Sequence, residues 1–127
     1  MIRTLKPGVH QLVFSRRIND QIADDQDFTK FVMHSILRFN HGDWGNVGSE
    51  DWTANNSDLA SLNSGSSDAR ILATYRYTVR CRTGWHPTGS DVDRWRECLH
   101  EITIWIIRNT AEEDGTQAIT VLFPDEY

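Results

Sequence analysis

The hydrophobic and polar positions along the chain fall into two regimes, a helical period in the first half and a strand period in the second. Residues 9–14, VHQLVF, follow a Pro7-Gly8 break and are β-branched or aromatic enough for a short strand. Ser15 is placed to cap a short helical turn over 16–23. Next, Phe28, Phe31, Val32, Ile36 and Phe39 recur at helical spacing, with Asp27 as the expected N-cap and Gly42 as the stop. Ser35 falls on the same face, where a small side chain permits close packing. A second helix is expected to start at Ser49 as N-cap, with Glu50 and Asp51 in its first turn and Trp52, Leu59 and Leu62 facing inward. NSGSSD, residues 63–68, reads as a polar loop.

Beyond it the period changes to two. In RILATYRYTVR, residues 70–80, Ile71, Ala73, Tyr75, Tyr77 and Val79 share one face, and Leu72, Thr74, Arg76, Thr78 and Arg80 the other. ITIWII, 102–107, is a continuous apolar run suited to the middle of a sheet. AITVLF, 118–123, is a further strand closed by Pro124. TAEEDGTQ between those runs is turn chemistry. The pattern predicts an α+β fold in the order β-α-α-β-β-β. It has an antiparallel sheet of about four strands with helices packed on one face, forming a single globular domain over 1–127.

Length and composition fit this reading. The 127 residues suit one domain that buries roughly two-thirds of its unfolded surface. No apolar run reaches the roughly 20 residues of a membrane span, and the N-terminus has no leader pattern, so a cytoplasmic protein is expected. Two cysteines, Cys81 and Cys98, are too few for a disulfide scaffold.

Charge adds a polarity along the chain. The net charge is −5, but residues 1–19 carry four cations and no acids, and residues 20–68 carry nine acids against Lys30 and Arg38. Residues 69–108 carry seven arginines against four acids. An acidic surface is therefore expected from the helical half and a basic one from the sheet.

Three stretches are candidates for chemistry. GDWGNVGSEDW, 42–52, reads first as a helix stop, a tight connection and a new helix start, with Trp44 and Trp52 covering the core. As a calcium loop starting at Asp43 it fails, because positions 3 and 5 are Gly45 and Val47. Cys81, His86, Cys98 and His100 are zinc-ligand types, but their spacing matches no finger pattern, and no bound metal is expected. A Cys–His nucleophile pair is equally unspecific. No nucleophile elbow, phosphate loop or dinucleotide fingerprint is present, and no cofactor is expected. Finally, RCRTGWHPTGSDVDRWRECLH, 80–100, is a long connection between two strands. Its Trp85, Trp95, Arg82, Arg94 and Arg96 are residue types enriched in binding hot spots, and they also suit nucleic-acid backbones and bases.

Taken together, KFVMHSILRFNHGDWGN, SEDWTANN, RILATY, ITIWII and TVLFPDEY resemble small, uncharacterised plasmid-related proteins of bacterial mobile elements and prophages. The resemblance covers roughly residues 9–77 and 101–127. The 80–100 segment departs from it, since a short hairpin connection is usual there. The resemblance carries no known chemistry, so no catalytic residue transfers. It implies a setting in which small acidic proteins often neutralise host defence effectors, such as CRISPR or restriction nucleases, by occupying basic nucleic-acid grooves. The expected function is a non-enzymatic accessory or inhibitor protein that binds a protein partner. The candidate partner-binding residues are Asp24, Asp25, Asp43, Glu50 and Asp51, together with Trp85, Trp95 and Arg96 of the long connection. The alternatives are a small enzyme built on the 80–100 segment, or a nucleic-acid binder using Arg76, Arg80, Arg82, Arg94 and Arg96.

Overall fold

The structure, a computed structural model, describes residues 10–64, 69–80, 99–110 and 117–127. In chain order these form β1 (His10–Phe14), α1 (Arg16–Asp24), α2 (Gln26–Asn40), α3 (Ser49–Asn63), β2 (Arg70–Arg80), β3 (Leu99–Thr110) and β4 (Gln117–Leu122). A 3-10 turn over Pro124–Glu126 follows. The fold is α+β, as the change of period predicts.

The helix boundaries follow local capping chemistry. Ser15 accepts from the Ile18 N–H at 3.2 Å and starts α1, which runs one residue past the expected 16–23. Asp25 closes α1 and opens α2: its N–H reaches Gln21, and its side chain accepts from the Phe28 N–H at 3.1 Å. Asp25 rather than Asp27 is therefore the N-cap, because only Asp25 has extended backbone and lies three residues ahead of an orphan N–H. Asp27 instead occupies the first turn. The third helix starts one residue earlier than expected. Gly48 is its cap, through its carbonyl bond with the Trp52 N–H at 2.8 Å, and no side chain caps it.

The sheet order is β1-β4-β3-β2. β2 with β3 and β3 with β4 are antiparallel, which places 70–80, 102–107 and 118–122 side by side as the pattern predicts. The expectation of a wholly antiparallel sheet is corrected at one edge: β1 runs parallel to β4, with Leu12 beside Ile119 and Phe14 beside Val121. Between β1 and β4 the chain passes through α1, α2, α3, β2 and β3, a connection long enough for parallel alignment, which a tight hairpin cannot give.

The core lies between helices and sheet. The α2 face Phe28, Val32, Ile36 and Phe39 meets Ile71, Ala73 and Tyr75 of β2, Ile104 and Ile106 of β3, and Ile119 and Val121 of β4. Ser35 is buried in that face with its hydroxyl donating to the Phe31 carbonyl at 2.8 Å, so the polar group costs little. Trp44 is fully buried against Phe39, with ring centroids 5.3 Å apart, whereas Trp52 is only half-buried. Among the described residues Arg108 is the one charged side chain that is buried. It donates to Gln117 and Asn63 at 2.8 and 3.1 Å, and burial pushes its pKa down. No described helix is long and apolar enough to cross a membrane.

Candidate functional site

β2 is an edge strand, and the segment after α2 is built against it. Edge strands expose unpaired N–H and C=O groups, and proteins that avoid promiscuous pairing cover them. The N–H groups of Leu72, Thr74 and Arg76 all bond away from β3, which by alternation leaves Ile71, Ala73 and Tyr75 to bond toward it. Each of the three is met. The Asn55 amide donates to the Leu72 carbonyl at 2.8 Å and accepts from the Leu72 N–H at 3.4 Å. Asn46 N–H donates to the Thr74 carbonyl at 2.6 Å, and Thr74 N–H donates to the Trp44 carbonyl at 3.3 Å. The Asn46 side chain accepts from the Arg76 N–H at 3.2 Å.

Residues 42–48 thus form a strap that covers the sheet edge at Thr74 and Arg76, which is what GDWGNVGSEDW does in this fold. Gly45 makes the close approach possible. Its φ is +73°, and a Cβ there would lie 2.1 Å from the Thr74 carbonyl oxygen and 2.7 Å from the Tyr75 ring. Asp43 tightens the strap. It pairs with Arg38 at 2.8 Å, accepts from the Gly45 N–H at 3.0 Å, and offers its carbonyl to the Tyr75 hydroxyl at 2.7 Å. The Arg38 hydrogen bond holds the Asp43 carboxyl below its usual range, and Arg38 is raised in turn. Desolvation raises the Tyr75 phenol, which stays neutral.

Between strap, α3 and the helix-free face of the sheet lies a cleft of about 550 Å³. Its upper rim is Asn46, Val47 and Gly48; one wall is Asp51, Ala54, Asn55 and Asp58 of α3. Its floor is Arg70, Leu72, Thr74 and Arg76 of β2 with Trp105 of β3. Asn55 meets Leu72 and Asn46 meets Arg76, so α3 descends along β2 toward Arg70. Asp51 therefore stands at the Arg76 end and Asp58 at the Arg70 end. Asp51 and Asp58 share one helix face, roughly 10 Å apart along the axis. The ion pairs among the described residues are Arg17–Asp125 and Arg38–Asp43, so no described guanidinium lies in ion-pair reach of the cleft carboxylates. Trp105 meets the Tyr127 ring edge-on at 5.5 Å. Tyr127 is in turn covered by Arg70 at 5.3 Å and accepts a hydrogen bond from it.

The structure distributes the predicted site residues unevenly. Asp24 is exposed at the end of α1, while Asp25 and Asp43 hold a helix cap and the strap. Glu50 and Asp51 are exposed on the first turn of α3. Asp24 and Asp25 lie at one end of α2 and Asp43 at the other, roughly 20 Å away, so the five acids do not form one contiguous patch. Only Asp51 reaches the cleft. Trp85, Trp95, Arg96, Cys81, His86 and Cys98 lie outside the described residues, and the backbone of His100 belongs to β3. Among the described residues no three His, Cys, Asp or Glu side chains gather as metal ligands.

Asn46, Asn55, Asp58, Arg70 and Trp105 are cleft residues that the sequence reading did not single out. Trp105 had a usable signal: inside ITIWII it alternates out of phase with Ile104 and Ile106, which assigns it to the opposite face. Comparison with protein-family models, curated proteins and solved structures yields no significant match.

Proposed function

We propose that the protein acts without catalysis by binding another protein, as an accessory or inhibitor protein of a bacterial mobile element, and that the cleft beside α3 is its recognition surface. One observation carries the proposal. Asp51 and Asp58 have no ion-pair partner among the described residues, on the wall of an open cleft floored by Trp105, and nothing on the described surface assembles a nucleophile, a base or a metal site beside them. Carboxylates beside an aromatic ring suit an arginine- or lysine-bearing segment, which can pair with the acids and lie over the indole. Effectors that handle nucleic acid present such segments.

The test compares wild type with an Asp51→Lys/Asp58→Lys double variant in affinity capture from bacterial lysate, with bound protein and nucleic acid both identified. The expected result is a protein captured by wild type, lost with the double variant and weakened by salt, while the melting curve stays nearly unchanged. Capture that survives the charge reversal but disappears on deletion of 83–97 would move recognition to the long connection. A second reading has its own observation: Trp105 lies between Arg70 and Arg76 on the open face, an arrangement suited to base stacking and phosphate contact. Direct binding of single-stranded nucleic acid, lost on Trp105→Ala, would favour it over the protein partner.

A further inference from the structure

The Arg70 end of the cleft is shaped by a residue that does not line it. The 3-10 turn over Pro124–Glu126 is pinned to the helical layer. The Glu126 carboxylate accepts from the Phe123 N–H and from the Ser15 hydroxyl, each at 2.8 Å, and Phe123 stacks on Phe28 with ring centroids 5.9 Å apart. The turn delivers Tyr127 to Trp105 on the helix-free face. There the Arg70 guanidinium lies over the Tyr127 ring and donates to its hydroxyl. Arg70 and Asp58 line the same end of the cleft, yet they form no ion pair. Distance does not forbid one. Counted from the Asn55–Leu72 contact, Asp58 lies one helical turn along, about 4.5 Å, and Arg70 lies about 7 Å along the strand in the same direction. That offset of roughly 2–3 Å is within the swing of a long, rotamer-rich side chain. At the other end the same spacing separates the charges. Asp51 is about 6 Å from that contact and Arg76 about 13 Å, so Asp58 is the cleft acid that an arginine of the chain can reach.

We infer that Tyr127 is a positioning residue of the cleft: it holds Arg70 off Asp58 and so keeps that carboxylate open to a guanidinium or ammonium group of a partner. The inference rests on the cleft being the recognition surface. An exposed cation–π contact and an exposed ion pair are of similar strength, so Arg70 goes to whichever group offers it more. Tyr127 offers both a ring face and a hydroxyl acceptor, and the guanidinium stays with it. Without that ring and hydroxyl, Asp58 is the acceptor on the cleft wall within its swing. The resulting pair would neutralise one of the two acids of the α3 wall and set a guanidinium beside the approach to Trp105. Tyr127 is 62% exposed, so its ring adds little to the core, and its contacts go to Trp105 and Arg70. One aromatic side chain thus decides whether the Asp58 end of the cleft presents a free carboxylate to a cation.

The test reads the restraint and the recognition separately. NMR compares the full chain as wild type, as Tyr127→Ala, and as Tyr127→Ala combined with Arg70→Gln. In wild type the Arg70 Nε–H is expected to show cross-relaxation with the Tyr127 ring protons. In Tyr127→Ala it should instead show cross-relaxation with the Asp58 β-protons. The binding probe is a blocked tetra-arginine peptide at low salt, followed through the Trp105 indole N–H. Tyr127→Ala is expected to weaken its binding roughly threefold, the effect of one exposed ion pair, and Arg70→Gln in that background to remove the loss. Should Tyr127→Ala not fold, Tyr127→Leu gives the same readouts, because it keeps an apolar contact for Trp105 but offers Arg70 neither ring nor hydroxyl. Arg70 contacts that stay away from Asp58 in the folded variant would overturn the inference, and so would unchanged peptide binding. A binding loss that persists with Arg70→Gln would also overturn it, since Tyr127 would then only support Trp105. If the wild-type indole ignores the peptide while the Arg70 contacts move as expected, the recognition reading fails and the restraint on Arg70 stands.

Discussion

Gly45→Ala is the sharpest probe of the strap, because the structure contains its own control. Gly42 and Gly45 have nearly the same backbone, with φ of +77° and +73°. A Cβ at Gly42 meets nothing within 4 Å, whereas one at Gly45 would lie 2.1 Å from a backbone oxygen of β2. Alanine at either site incurs the left-handed penalty of about 1–2 kcal/mol. At Gly45 the strap must also lift. That breaks the Asn46–Thr74 and Trp44–Thr74 backbone bonds, each contributing about 1 kcal/mol. The expected totals are about 1–2 kcal/mol for Gly42→Ala and about 3–4 kcal/mol for Gly45→Ala. For a chain of this length each kcal/mol lowers Tm by roughly 3–5 °C, so Gly45→Ala should melt about 10–15 °C below wild type. Urea unfolding of both variants gives the free energies directly, and the gap between them measures the close approach alone. If Gly45→Ala is no less stable than Gly42→Ala, the strap does not seal the edge tightly and the account of β2 is wrong.

Three further outcomes follow from the same packing. Trp44→Ala should cost about 3–5 kcal/mol in denaturant unfolding, because the ring is fully buried, and half-buried Trp52→Ala about 1–2 kcal/mol; equal costs would contradict the burial. Asn55→Ala removes both bonds to Leu72 and should cost about 2 kcal/mol, with faster amide exchange at Leu72 as the local readout; an unchanged exchange rate there would show that the amide does not cover the edge. The Asp43 carboxyl, held below its ordinary value of 3.8, stabilises the fold above that pH, and the gain disappears as pH falls through the lowered folded value. Wild type should therefore exceed Asp43→Asn in Tm near neutrality and converge with it in acid, and a gap that persists unchanged down to about pH 2 would refute that linkage.

The sequence alone determined which segments are helix and which are strand, because a side chain's period of burial is a local property. Phe28, Val32, Ile36 and Phe39 can share a face only on a helix, and Ile71, Ala73 and Tyr75 only on a strand. It also determined the β2-β3-β4 neighbours, since each follows the last along the chain. It assigned Trp44 to the core, and it placed a turn at Gly42. Capping was legible only to within a residue or two, because Asp25 and Asp27, or Gly48 and Ser49, are chemically adequate in either place. The backbone entering the helix chooses between them.

Only the tertiary structure decided the rest. The parallel pairing of β1 with β4 joins residues more than a hundred positions apart, and no local pattern encodes the direction of such a pair. The strap is in the same position. Gly45 and Asn46 look like ordinary turn residues until Thr74 and Arg76 are brought beside them. The cleft exists because α3 descends along an edge strand, which sets Asp51 and Asp58 opposite Trp105. A list of acids in chain order grouped Asp24, Asp25, Asp43, Glu50 and Asp51. The fold set the first two and Asp43 at opposite ends of α2 and gave Asp25 and Asp43 to capping and the strap, because carboxylates are recruited wherever an N–H or guanidinium lies within a hydrogen bond's reach.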